Sequence, residues 1–167
     1  MSIHAFGATY EGVDVSPTFL QLGVACSGWR PSSPSTASGS PFDGEAPFIE
    51  AAMRAIKTGD IAVIKSFSPG SGLRIKGVGI VTDARPHDVS PANGYPVGAL
   101  HPGWPGMGIG VKVRWTWPDV QDGSVHWKMG TVSDRGGHVR TGTIYEEYGP
   151  EVADQVIELL LDPIARQ

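Results

Sequence analysis

Glycine and proline punctuate this chain more densely than long helices tolerate: 23 glycines and 14 prolines in 167 residues. Glycine accepts backbone conformations with positive φ and proline fixes φ and removes a hydrogen-bond donor, so both residues set turns and interrupt regular elements. Their abundance favours short strands and ordered loops over a helical bundle. The length suits one domain around one hydrophobic core, spanning residues 1–167, and two full domains would be cramped. A content of 40% hydrophobic and 18% charged residues is that of a globular chain and not of a disordered one.

Periodicity supplies the elements. Residues 3–10 (IHAFGATY) read as a first strand, and Asp14, Val15, Ser16 and Pro17 as a helix start, with Ser16 capping a short helix over 17–22. Residues 27–46, rich in Ser, Pro and Gly, predict a mobile surface loop. Phe48, Ile49, Ala52, Met53 and Ile56 form one apolar helical stripe with Glu50, Arg54 and Lys57 turned outward, and Gly59 stops the helix. Two strands, 60–67 and 73–84, are joined by a hairpin-length loop at 68–72. The apolar phase of the second strand changes between Leu73/Ile75 and Val78/Ile80, which predicts a bulge at Gly77. Residues 85–108 read as a second long loop, carrying Tyr95, His101 and Trp104 and placed to cover a site. Val111, Val113, Trp115 and Trp117 alternate with Lys112, Arg114 and Thr116, a period-two strand that puts both tryptophans on one apolar face. Pro118 ends it. A third loop at 119–137, a last strand at 138–145 and a helix at 150–161, with Val152, Val156, Leu159 and Leu160 inward, complete the chain. Without regular βαβ alternation, the expected class is α+β: a small mixed β-barrel flanked by two or three helices.

Composition also bounds function. A net charge of −4 provides no global field toward nucleic acid or anionic membrane, so any such binding is local. One cysteine, Cys26, and a start without a basic-then-apolar signal lead to an expected cytoplasmic location. The longest apolar run, 156–161, is far below the ~20 residues of a membrane span, so no membrane passage is expected. No nucleophile elbow, P-loop or Cys–His signature occurs, and His4, His87, His101, His126 and His138 are scattered without metal-ligand spacing. No catalytic residue, metal or cofactor is therefore expected. Glu146 and Glu147, adjacent on a strand, point to opposite faces and do not form an acid–base pair.

The aromatic residues are more informative. Indole stacks well on flat bases and on methylated groups, and the chain carries Trp29, Trp104, Trp115, Trp117 and Trp127. Trp115 reads as core, Trp117 as core or pocket wall, and the loop residues Trp29 and Trp104 as binding groups or loop pins. Lys65 shares a strand face with Ile61, Val63 and Phe67, so its ammonium either serves a pocket or snorkels out at the rim. Ser66 offers a hydroxyl beside it. Arg74, Lys76, Lys112 and Arg114 are expected outward on neighbouring strands, a modest basic face suited to phosphate contacts.

Five blocks in order, HAFGATYEG at 4–12, Phe19 with GVA at 23–25, KTGDIAVIKS at 57–66, LRIKGVGIV at 73–81 and VKVRW at 111–115, resemble the EVE/YTH-like branch of the PUA-like superfamily. The likeness extends to the N-terminal specificity domains of McrB-type restriction ATPases. It implies a PUA-like β-barrel that reads DNA or RNA by taking a modified base into an aromatic-lined pocket, with a role in restriction or phage defence. On that resemblance Phe6, Thr9, Trp29, Ser66, Trp115 and Trp117 are the pocket or its rim, and Lys65, Lys76 and Arg114 lie near the phosphates. Ala5 or Phe6, and Ala25, stand where the family blocks commonly carry aromatics. The chain contains no ATPase or nuclease portion, so the resemblance implies that it acts alone or recruits a separate nuclease or ATPase subunit. A reading from a different class is a small-ligand (nucleotide) or protein-binding module whose acidic surface rejects DNA. Salt-sensitive DNA binding separates the two.

Overall fold

The computed structural model describes residues 1–10, 12–28, 47–68, 72–97, 106–118, 128–129 and 144–165. In chain order these form β1 (Ile3–Gly7), β2 (Thr9–Tyr10), β3 (Val13–Asp14), α1 (Ser16–Leu22), β4 (Val24–Cys26), α2 (Pro47–Ala55), β5 (Ile61–Ser68), β6 (Gly72–Asp88), a 3₁₀ turn (Pro91–Asn93), β7 (Ile109–Trp117), β8 (Lys128–Met129), β9 (Ile144–Glu147) and α3 (Pro150–Ala165). Seven strands make one sheet with the path β4-β7-β6-β5-β1-β9, β8 pairing with the start of β6, while β2 and β3 form a separate hairpin. The pair β1–β5 is parallel and the other pairs are antiparallel. The class is therefore mixed α+β with three helices. The path ends at β4 and β9, so the described strands do not close into a barrel.

Each face of the sheet carries a core. Phe6, Phe19, Leu20, Val24, Ile49, Met53, Ile64, Val81 and Val113 belong to the larger cluster, to which α1 and α2 contribute. Ile61, Val63, Ile75 and Val78 meet Val152, Val156 and Leu159 of α3 in the smaller one. The run Ile61, Ala62, Val63, Ile64 is buried throughout because successive side chains feed opposite layers, the pattern of a strand covered on both faces. Each fully buried Val, Ile or Leu contributes roughly 1.5–3 kcal/mol.

Local chemistry revises several sequence expectations. The first strand ends at Gly7, because the Val15 N–H donates to the Ala8 carbonyl at 2.8 Å and Thr9–Tyr10 pairs back on Val13–Asp14 as a hairpin. Helix α1 begins at Ser16 itself, with Val15 at the N-cap and no side-chain cap, while Asp14 Oδ1 accepts from the Ser16 N–H at 3.0 Å and from its hydroxyl at 2.6 Å. Along α2, Ile49 and Met53 are buried as expected, but Phe48 is 62% exposed, which narrows the apolar stripe. The expected loop at 85–108 is strand as far as Asp88, since β7 begins early enough to pair Gly110 with His87 and Ile109 with Asp88. Within 119–137, residues 128 and 129 form β8. Residues 29–46 of the first expected loop and 138–143 of the last expected strand lie outside the described residues.

Two of the register shifts decide where Lys76 and Trp117 point. Ile64 pairs with Gly77 and Lys65 with Ile75, leaving Lys76 as the extra residue of β6, one position before the predicted bulge. On β7, Trp115 pairs with Gly79 and Trp117 with Val78, leaving Thr116 extra, its hydroxyl donating to the Val78 carbonyl at 3.1 Å. That insertion rotates the strand by one face. Trp115 packs against the larger core and Trp117 against the smaller, so the two tryptophans do not share a face as the period-two pattern predicts.

Among the described residues, no helix is long and apolar enough to cross a membrane.

Candidate ligand-binding site

The blocks singled out in the sequence meet where β1 runs out of the sheet. Gly7 is in register with Lys65, and Ser66 with Arg74, so the β2–β3 hairpin leaves the sheet beside the ends of β5 and β6. The hairpin is fastened there by Lys76, whose Nζ donates to Asp14 Oδ2 at 2.7 Å. Burial pushes the Asp14 carboxyl up. Hydrogen bonds from Lys76 and Ser16, with the Lys76 charge, outweigh that and hold its pKa below the ordinary value. Thr9 is exposed at the start of this hairpin, and Ser66 is partly buried on β5.

Burial removes two of the three residues expected near phosphates. Lys76 is 3% exposed with its charge on Asp14, because the bulge turns it into the protein instead of outward. Lys65 is 4% exposed, its ammonium 4.1 Å from the centroid of the Tyr145 ring. It does not snorkel to water. Desolvation pulls its pKa down to about 8 against the opposing charge of Glu147. Arg114 is exposed as expected.

The expected pocket residues divide. Phe6 is fully buried in the larger core and forms no accessible wall, because it alternates with Ala5 and Gly7 on the layer that α1 and α2 cover. Trp115 is partly buried and held by its Nε1–H, which donates to the Phe19 carbonyl at 2.9 Å. The Tyr10 ring meets Phe19 edge-on at 6.1 Å, and its hydroxyl donates to the Met107 carbonyl at 3.3 Å. Sequence pattern alone did not mark Tyr10 as a member of this aromatic group. Trp117 is partly buried on the other face. Ala5 and Ala25 are buried. Trp29 lies outside the described residues, as do Trp104, Trp127, His101, His126 and His138.

Further groups emerge from the fold. His4 Nε2 lies 3.1 Å from Asp60 Oδ2, both side chains buried, and Asp60 also accepts from the backbone N–H of Ser2 and of Lys57 at 2.9 Å each. Burial raises the Asp60 pKa, but these hydrogen bonds and His4 leave it below the ordinary value. The pair pins the first strand to the α2–β5 turn. Cys26 is wholly buried, and desolvation with the nearby Asp88 pushes its thiol pKa well up. His87 Nε2 and the Tyr95 hydroxyl are 2.7 Å apart, with the rings stacked at 5.7 Å. Between the end of α2 and the outer part of β6 opens a cleft of about 470 Å³, lined by Arg54, Thr58, Asp83, Ala84, Arg85 and Pro86. Among the described residues, no three His, Cys, Asp or Glu side chains converge as metal ligands would.

No protein-family model and no curated protein matches the sequence. The functional reading therefore rests on these residues and their surroundings.

Proposed function

We propose that the chain is a non-catalytic reader of modified nucleic acid, of PUA-like architecture and of the EVE/YTH-like kind. The observation that carries this reading is the end of β7, where exposed Arg114 adjoins two partly buried tryptophans, Trp115 against the larger core and Trp117 against the smaller. A partly exposed indole beside an exposed guanidinium supplies both interactions that an extruded base needs, stacking for the ring and a cation for its phosphate. The exposed Thr9 and the partly buried Ser66 add hydroxyls near the hairpin.

The non-catalytic part has its own support. Among the described residues, His4–Asp60 is buried with its carboxylate taken by three donors, and the Cys26 thiol is buried and held protonated, so both are closed to substrate. A reader of this kind works with a separate nuclease or ATPase subunit where cleavage follows recognition.

The test is fluorescence anisotropy on short DNA and RNA duplexes and single strands, unmodified and carrying methylated bases, at low and moderate salt. Preference for one modified strand, weakened by Trp117→Ala or Trp115→Ala, is the expected result. Failure to bind any strand at low salt overturns the reading in favour of a small-ligand or protein-binding module.

A further inference from the structure

The fold buries Lys65 and Lys76, so the phosphate contacts of a nucleic-acid reader must come from elsewhere on the surface. Arg54, at the end of α2, places Nε and Nη2 on Glu50 Oε1, both at 2.8 Å. Across the cleft, Arg85 grips Asp83 with Nε at 3.0 Å and Nη2 at 2.6 Å. In each pair the carboxylate occupies one edge of the guanidinium and leaves the other edge of the fork free to donate. The arginines are thereby held in place while still accessible, at 53% and 89% side-chain exposure. Pre-ordering of this kind lowers the entropy cost of gripping an anion. Thr58 adds a hydroxyl to the same cleft.

The cationic surface continues along the sheet. Asp83 is in register with Lys112, and Lys112 and Arg114 both point outward on β7, one period-two step of roughly 6.6 Å apart. Arg54, Arg85, Lys112 and Arg114 thus set four cations against the carboxylates of Glu50 and Asp83, a local positive excess in a chain of net charge −4. On one side the row meets α3, which packs on β6 and β7 and exposes Glu151, Asp154 and Glu158. A polyanion is attracted along the row and repelled from the helix. Several cations in line suit a polymer with one charge per unit; an isolated carboxylate would engage only one of them.

We propose that the cleft formed by Arg54, Thr58 and Arg85, continued by Lys112 and Arg114, is a track for the phosphodiester backbone of a nucleic-acid strand. This inference rests on the reader assignment but can fail separately from it. The experiment compares wild type with Arg85→Gln, Arg114→Gln and the double variant, with folding checked by circular dichroism. Anisotropy titrations use labelled oligonucleotides, unmodified and methylated, across a salt series, and a labelled polyglutamate peptide as the other polyanion. The expected result is weaker binding to every strand, a salt slope reduced by about one for each arginine removed, and an unchanged ratio of modified to unmodified affinity. Wild-type affinity and slope in the double variant would overturn the track while leaving base reading in place. A steep slope without preference for modification overturns base reading and keeps the track. Binding of polyglutamate in place of nucleic acid, or of neither, overturns both.

Discussion

Replacing Asp14 by Asn tests whether the hairpin is fastened to the sheet by charge. Asparagine keeps an oxygen for the Ser16 N–H and hydroxyl, so the start of α1 is retained and only the ion pair with Lys76 is lost. The Lys76 side chain is 4% exposed, and breaking a fully buried ion pair by removing its carboxylate costs about 3–5 kcal/mol. Asp14 is itself 36% exposed, so water reaches the pair and the expected cost falls to about 2 kcal/mol. In a chain of this length that lowers Tm by roughly 4–8 °C. Lys76→Met removes the charge that needs a partner and is expected to be near neutral, and adding Asp14→Asn to it should cost little more. Urea unfolding of the four proteins in a double-mutant cycle then reads a coupling of about 1.5–2 kcal/mol at neutral pH. The folded pKa of Asp14 is lowered, so this stability is present above the ordinary carboxylate value near 3.9 and is lost as pH falls below it. A cost below about 0.5 kcal/mol for Asp14→Asn, or a coupling undiminished at pH 2, would refute the reasoning.

Lys65 makes stability rise with pH as well, but in an alkaline window. Desolvation lowers its folded pKa to about 8, so between there and the unfolded value near 10.4 the unfolded chain binds more protons and stability rises with pH. Urea midpoints at pH 7.5 and 9.5 should show that rise in wild type and not in Lys65→Met; identical trends would count against the burial. Cys26 should resist a thiol–disulfide exchange reagent in the native protein and react on unfolding, since its thiol is buried and held protonated. Gly79→Ala should destabilise by about 1–3 kcal/mol, because the added Cβ would lie 2.6 Å from the Arg114 carbonyl oxygen and 2.9 Å from the Trp115 Cα, forcing β6 and β7 apart. A thermal melt unchanged by that substitution would show that the two strands can separate freely at the bulge.

What the sequence disclosed and what it hid differ by range. Alternation over a few residues located β7, and the run Asp60 to Phe67 located β5, because one strand's period is a local property. The side chosen by Trp117 was invisible, because a bulge belongs to the pairing of two strands and Thr116 carries no mark of being the extra residue. The inward turn of Lys76 is hidden for the same reason, and its partner Asp14 lies 62 residues earlier in the chain. The phase shift in 73–84 did signal a bulge within one residue of its place, since there the apolar residues themselves change step. Arg54 and Arg85 had no motif to announce them. Their cleft arises from α2 passing over the far end of a strand that outran its expected limit.

That strand has a consequence for how the molecule opens. β6 is 17 residues long, pairs with β5, β7 and β8, and carries Ile75 and Val78 of one core and Val81 of the other. Neither hydrophobic layer can dissolve while the other persists, because both would have to let go of the same backbone. The two layers are bound into one cooperative transition, and the amides of β6 should be the last in the chain to exchange with solvent.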